Sequence, residues 1–281
     1  MVAALLSAFA AAGGLILDKI CLSRERITLR VYLPLVFVFL CLFSLLLSPT
    51  LGRIDFQIAL LPNSLFLLFL MVIMAIAWNV LFYQSIQKER VSEHEMITMT
   101  APLVTVLLAA AFFPEERDGR ILLLAIVASV ALFFARGEKR HFLLDQQSYN
   151  LFLGVVLMSA ENIIFRELLY SYTPVALYAI RTLILAVFFM AYYSPRYQQV
   201  SAKHWWMIVG SALFGLVTML AKLYAFSSIG VVHATLITLL APLIVFFASW
   251  EILHERIRAR VVIAAIVILA AVSWATVLGG S

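Results

Sequence analysis

One apolar stretch occurs twice in this chain. Residues 97–104 read Ile-Thr-Met-Thr-Ala-Pro-Leu-Val and residues 237–244 read Ile-Thr-Leu-Leu-Ala-Pro-Leu-Ile, 140 positions apart in a sequence of 281. Each copy lies in a long apolar run that ends at an acidic residue thirteen positions after the proline, Glu115 after Pro102 and Glu255 after Pro242. A repeat at half-length means that one half of the chain is built like the other. The fold must therefore accommodate two similar units side by side.

The solvent for those units follows from composition. The chain is 64% hydrophobic and 12% charged, whereas soluble domains carry roughly 25% charged residues. Too few polar groups exist to cover a globular surface, so lipid is the solvent that suits this sequence. The net charge of +5 is modest and concentrated in short loops, which fits membrane topology rather than nucleic-acid binding. Cys21 and Cys41 are the two cysteines, each in an apolar context, which suggests neither a disulfide framework nor a metal cluster. The first apolar run has no basic region before it and reads as a first membrane helix rather than a cleaved signal.

A spanning helix needs about 20 apolar residues. Runs of that kind predict spans at 1–20, 31–48, 64–86, 94–113, 119–136, 149–171, 174–194, 204–226, 231–253 and 259–278. The expected fold is thus an all-α integral membrane protein of ten helices, five in each half. Breaks are predicted at Ser48-Pro49, Pro62-Asn63, Pro114-Glu115, Thr173-Pro174 and Ser194-Pro195, where proline and small polar residues stop helices. The halves are residues 1–136 and 149–281, joined by a polar linker over 137–148 that contains Glu138, Lys139, Arg140 and Asp145. The short connections 87–93 and 227–230 require antiparallel neighbours. With an odd number of helices per half, the second half enters from the opposite side, so the repeats are inverted about an axis in the membrane plane. Counting loop Lys and Arg places thirteen on one side (Arg24, Arg136 and Arg196 among them) and only Arg53, Arg117 and Arg120 on the other. The positive-inside bias then puts both termini outside the cytoplasm, in the inner membrane.

This pattern resembles the EamA-type branch of the drug/metabolite transporter superfamily. The residues that carry the resemblance are Ala101-Pro102 leading to Glu115, with Gly119 opening the next helix, then Ala241-Pro242 leading to Glu255, and Pro174 seven residues before Arg181. The resemblance covers nearly the whole chain and implies ten helices in two repeats and transport of metabolites such as amino acids, often outward. The sequence departs from the family pattern in two places. The first half has no counterpart of Arg181, and Arg258-Ala259-Arg260 replaces the second glycine. The family's usual arrangement, with both termini cytoplasmic, is also opposite to the one the loop charges favour here.

Charges inside a membrane cost about 2.5–3.5 kcal/mol or more at a helix centre, so each must have a partner or face a cavity. Glu161 is the most deeply placed acid. Two readings stand for it: a coupling or substrate-binding carboxylate that trades a proton for a cationic group, or a structural ion pair with Arg181 or Lys222. On the coupling reading, Glu161→Gln removes the pH dependence of transport. Arg181 is either a bidentate grip on a substrate anion or, since the resemblance implies an Arg here across diverse substrates, a structural residue. Lys222 is a second cation that either binds an anion or snorkels to the interface. Asp18-Lys19 and Arg166-Glu167 read as interface residues, with a gate as the alternative.

Trp78, Asn79 and Tyr83 share one side of the third helix, with Gln84 nearby, and Tyr224 lies at a related place in the eighth. An aromatic and amide wall suits a cationic or zwitterionic ligand, or it is ordinary packing. Pro102 and Pro242 free carbonyls near Thr98 and Thr238 and are read as hinges that line the path. Trp205, Trp206 and Trp250 read as interface anchors. His94 and His233 open helices, where a solvated start competes with a proton switch.

No zinc, phosphate-loop or nucleophile-elbow motif occurs, and neither a metal, another cofactor nor a nucleic-acid partner is expected. The reading is a secondary transporter, monomeric or homodimeric, that moves a small polar, amino-acid-like or zwitterionic metabolite by alternating access, with protons as a candidate coupling ion. Its first rival is a lipid-translocating protein. A second, a membrane enzyme using Glu115, Glu116 and His94, is opposed by the whole helix, about 30 Å, between His94 and Glu115.

Overall fold

The computed structural model describes residues 1–25, 27–88, 97, 98, 100–136, 146–195, 200–241, 244 and 259–278. All the extended elements among these residues are helices: α1 (Val2–Lys19), α2 (Leu29–Leu51), α3 (Phe56–Ala59), α4 (Pro62–Lys88), α5 (Ala101–Phe112), α6 (Gly119–Arg136), α7 (Gln146–Leu168), α8 (Pro174–Tyr193), α9 (Ala202–Thr238) and α10 (Ala259–Leu278). Five spans are long and apolar enough to cross a membrane: Val2–Leu22, Leu29–Leu51, Pro62–Ser85, Pro174–Tyr193 and Ala202–Thr238. Shorter apolar helices run over Ala101–Phe112, Gly119–Ala131 and Val262–Trp274. The count of ten spans rests on the sequence, while the helices here establish a multi-pass α-helical protein.

Local chemistry sets most of the boundaries. Pro62 and Pro174 open α4 and α8, where a missing N–H and a fixed φ suit the first helical position. Ser194 closes α8 in the left-handed region at φ 41°. Ser48-Pro49 does not end α2, which continues to Leu51 with Pro49 in its last turn. There the missing N–H costs a single bond, to the Leu45 carbonyl, one turn from the helix end. Residues 146–148, the end of the stretch read as a polar linker, already belong to α7, and 137–145 lie outside the described residues. The short α3 was not anticipated; the Asp55 carboxylate caps it by accepting from the Gln57 amide at 3.0 Å.

α9 is two helices fused at one residue. Gly230 has φ 79° and ψ 171°, a conformation that strongly favours glycine. The chain turns there and starts the second helix at Val231, so a break separates the eighth and ninth apolar runs at Gly230.

Packing follows a two-fold scheme. α1 packs on α9 and α4 on α7, while α2 pairs with α8 and α6 with α10. Exchanging each helix of the first half for its counterpart in the second turns the first two pairs into one another and leaves the last two unchanged. Small residues allow close approach. Ala4, Ser7, Ala8 and Gly14 on α1 are buried, and a Cβ at Gly13 would lie 2.7 Å from the Phe214 ring. Lipid offers no hydrophobic drive between helices, so such close contact is what holds them together. The loops are pinned as well: Asp55 N–H donates to the Ser171 carbonyl and Thr173 N–H to the Arg53 carbonyl, at 2.9 and 3.0 Å.

Candidate functional site

The interior polar groups gather where α4 meets α7, α8 and α9. Glu161 (α7) is 1% exposed and Arg181 (α8) 3%. The Arg181 Nε donates to Glu161 Oε1 at 2.7 Å, and its Nη2 reaches Oε2 at 3.3 Å. This is the planar, two-point geometry for which a guanidinium is built. The Trp78 indole N–H, from the first half of the chain, donates to Glu161 Oε2 at 2.5 Å. The guanidinium carbon also lies 5.9, 5.6 and 5.9 Å from the ring centroids of Trp78, Phe165 and Tyr178. Of the two partners foreseen for Glu161, the structure supplies Arg181.

Lys222 does not snorkel to water. Its ammonium lies 5.5 Å from the Phe226 ring, and the charges within its electrostatic reach are those of Glu161 and Arg181. Among the described residues it forms no ion pair. Among the described residues this part of the bundle thus holds two basic side chains and one carboxylate.

The aromatic wall forms in part. Trp78, Phe82 and Tyr83 stack edge to face along α4, with centroids 6.0 and 5.4 Å apart. Asn79 is buried but spends its amide on the Ala75 carbonyl one turn back, at 2.7 Å. Tyr224, on α9, is 39% exposed.

Pro102 stands at the start of α5, directly after a turn at Thr100, rather than in the middle of a helix. The Thr100 hydroxyl caps the Ile97 carbonyl at 2.6 Å, and the Thr238 hydroxyl caps the Thr235 carbonyl at 2.8 Å beside a turn at Leu239. Both copies of the repeated stretch thus interrupt their helix just before the proline. Thr98 is half-buried, and Pro242 lies outside the described residues, as do His94, Trp250 and Glu255.

The acidic residue that closes the first copy acts one position later than the repeat spacing implied. Glu115 is exposed. Glu116 instead accepts from the amides of Val231 and Val232 at 2.8 and 2.6 Å. It thereby satisfies the free N–H groups at the start of the helix after Gly230. Arg166 stands 3.9 Å from the same carboxylate and 5.2 Å from the Tyr170 ring. The signal was in the sequence: Glu116-Arg117 matches the dipeptide Glu255-Arg256, one residue out of step with the prolines.

Asp18, read as an interface residue, sits instead at the meeting point of four helices. It is hydrogen-bonded to the Tyr32 hydroxyl of α2 at 2.5 Å and to the Ser211 hydroxyl of α9, and Tyr83 of α4 is a third hydrogen-bond partner. A π-turn over Ile20–Arg24 follows it and carries the apolar span on to Leu22, so the carboxylate falls inside the span. Beyond that turn Glu25 pairs with Lys203 at 2.7 Å and with His204 at 3.5 Å. These contacts, the Lys203 hydrogen bond foremost, hold its carboxyl below the usual carboxylate range. Among the described residues no group of His, Cys, Asp and Glu could hold a metal ion.

Comparison with known proteins places this architecture. The profile of the EamA-like transporter family matches residues 1–136 and 149–277. Twenty-eight chains of solved structures match; one, described as "Crystal structure of protein", superposes with a TM-score of 0.76 at 13% identity, over 99% of this chain and 98% of that one. That likeness establishes the fold alone. No curated protein matches the chain. With nearly its whole length matched in two successive segments, the chain belongs to the EamA-like transporter family and is a multi-pass membrane protein of the drug/metabolite transporter superfamily.

Proposed function

We propose that the protein is a secondary transporter that binds an amino-acid-like zwitterion between its two halves and carries it by alternating access. The observation that supports this reading is the arrangement of Glu161, Arg181, Trp78 and Lys222. A buried ion pair with satisfied geometry is electrically closed, so an incoming ligand meets the uncommitted Lys222 ammonium and the aromatic rings around Arg181. A carboxylate suits the first, and an ammonium suits the π faces. The interface between repeats is also where such folds keep their substrates.

In this reading ten helices form two inverted repeats, 1–136 and 149–281, with both termini outside the cytoplasm as the loop charges favour. The interruptions at Thr100 and Leu239 act as the hinges. A helix broken at one point rotates its outer part without disturbing the inner one.

The test is thermal stability of the detergent-solubilised protein against a panel of amino acids, organic cations, carboxylates and lipids. A ligand at 100 times its dissociation constant stabilises by about 2.7 kcal/mol. Stabilisation by amino acids supports the reading. Stabilisation by lipids alone replaces it with lipid translocation.

A further inference from the structure

Asp18, Tyr32 and Ser211 form a closed triangle of oxygens. The Tyr32 hydroxyl lies 2.5 Å from Asp18 Oδ1 and 2.7 Å from the Ser211 hydroxyl, and Ser211 is itself a hydrogen-bond partner of Oδ1. Every side of the triangle is thus at hydrogen-bond distance, and each side needs one proton. The two hydroxyls supply two. If both donate to an ionised Asp18, the Tyr32–Ser211 side has no proton and sets two oxygen lone pairs against each other. A third proton on Oδ1 completes the ring: Asp18 donates to Ser211, Ser211 to Tyr32 and Tyr32 to Asp18.

Among the described residues, the hydrogen-bond partners of Asp18 are hydroxyls and none is a cation. Tyr32 on α2 and Tyr83 on α4 are neutral donors. Ser211 on α9 carries no charge. Lys19 is the adjacent residue on α1. Cys21 of the following turn is within electrostatic reach of Asp18 and Glu25, and Glu25 is occupied by Lys203 and His204. Arg181 on α8 is within electrostatic reach of Tyr83 and is taken by Glu161.

We propose that Asp18 is the proton-binding carboxylate of the transport cycle, at a site separate from the Glu161–Arg181 pair. The proton comes from the aqueous phase, binds Oδ1 and returns to water when the ring opens; no other bond is made or broken. Because the triangle joins α1 and α2 of the first half to α9 of the second, loading Asp18 favours the arrangement in which these helices are closed together. Tyr83 touches Asp18 and stands within electrostatic reach of Arg181, which connects the proton site to the substrate site. The coupling role rests on the transport reading above, whereas the titration of Asp18 does not.

Infrared difference spectra of the purified full chain, titrated from acid to alkaline pH, test the proton site without any substrate. The wild type is expected to show the carbonyl band of a protonated carboxyl that appears and disappears across the titration. Glu161→Gln should retain it, Asp18→Asn should lose it, and Ser211→Ala and Tyr32→Phe, which break the ring, should change the pH at which it appears. The two ring variants decide the matter if Asp18→Asn fails to fold. A titration that is the same in wild type, Ser211→Ala and Tyr32→Phe, or a band that persists in Asp18→Asn, overturns the proposal. In proteoliposomes with an imposed pH gradient, a radiolabelled amino-acid panel then tests coupling: Asp18→Asn keeps exchange and loses gradient-driven accumulation. Accumulation equal to wild type in Asp18→Asn overturns the coupling role. Absence of all wild-type uptake counts against the transport reading and leaves the infrared result to judge Asp18.

Discussion

Glu161 and Arg181 meet across α7 and α8 with both side chains almost wholly excluded from solvent and the shorter contact at 2.7 Å. Removing one partner leaves a charge buried without compensation, which costs about 3–5 kcal/mol. Glu161→Gln and Arg181→Met should each lower thermal stability in detergent sharply. The double variant should recover much of the loss, because two neutral side chains leave no orphan charge. Additive losses in this cycle would show that the pair does not act as a unit.

Lys222 differs from Arg181 in having no anionic partner of its own among the described residues. Lys222→Met should leave folding intact and weaken binding of a carboxylate-bearing ligand at least tenfold, about 1.4 kcal/mol. An amine of the same skeleton without its carboxylate should bind both proteins alike. Equal losses for both compounds would remove Lys222 from carboxylate recognition.

The Glu116 carboxylate caps the helix that begins after Gly230. Glu116→Ala should cost about 1 kcal/mol, the usual value of such a cap. Hydrogen exchange of the Val231 and Val232 amides gives the specific readout: slow in the wild type, faster in Glu116→Ala, and unaltered in Glu115→Ala. Gly230→Ala should be worse than a typical loop substitution. Its backbone is at φ 79°, and the added Cβ would fall 2.9 Å from Glu116 Oε1, so it strains the turn and displaces the cap together.

Glu25 holds the end of α1 to the start of α9 through Lys203 and His204. Its carboxyl lies below the usual range because the charged form is bonded by Lys203 and supported by His204. Stability from a lowered carboxylate pKa is present above the unfolded-state value and is lost as pH falls through the folded-state value. The melting temperature of wild type should therefore exceed that of Glu25→Gln at neutral pH and converge with it in acid. The pair is solvent-accessible, so salt should shrink the same difference. A difference that grows on acidification would contradict the assignment.

The spans were legible because lipid imposes one demand, a run of about 20 apolar residues, that a sequence cannot disguise. The Glu161–Arg181 pair was legible for a related reason: an acid in mid-span must find a cation, and few exist. Asp18 was not legible. Its partners Tyr32, Tyr83 and Ser211 come from three other helices, and hydroxyl-bearing residues leave no distinctive mark in an apolar run. The π-turn that draws Asp18 inside the span has no sequence signature either. Glu116 rather than Glu115 is the counterpart of Glu255, because the Glu116-Arg117 and Glu255-Arg256 pairs share a charge pattern that the spacing from the prolines does not carry.

The central claim is that this bundle moves a zwitterionic metabolite through a site at Glu161, Arg181 and Lys222. Counterflow measures it most directly: proteoliposomes preloaded with unlabelled amino acid, diluted into a trace of the labelled compound. The account predicts transient accumulation of label in wild-type vesicles, much reduced in Lys222→Met. Folded wild-type protein that shows no counterflow with any amino acid, while moving a fluorescent lipid between leaflets, would contradict it.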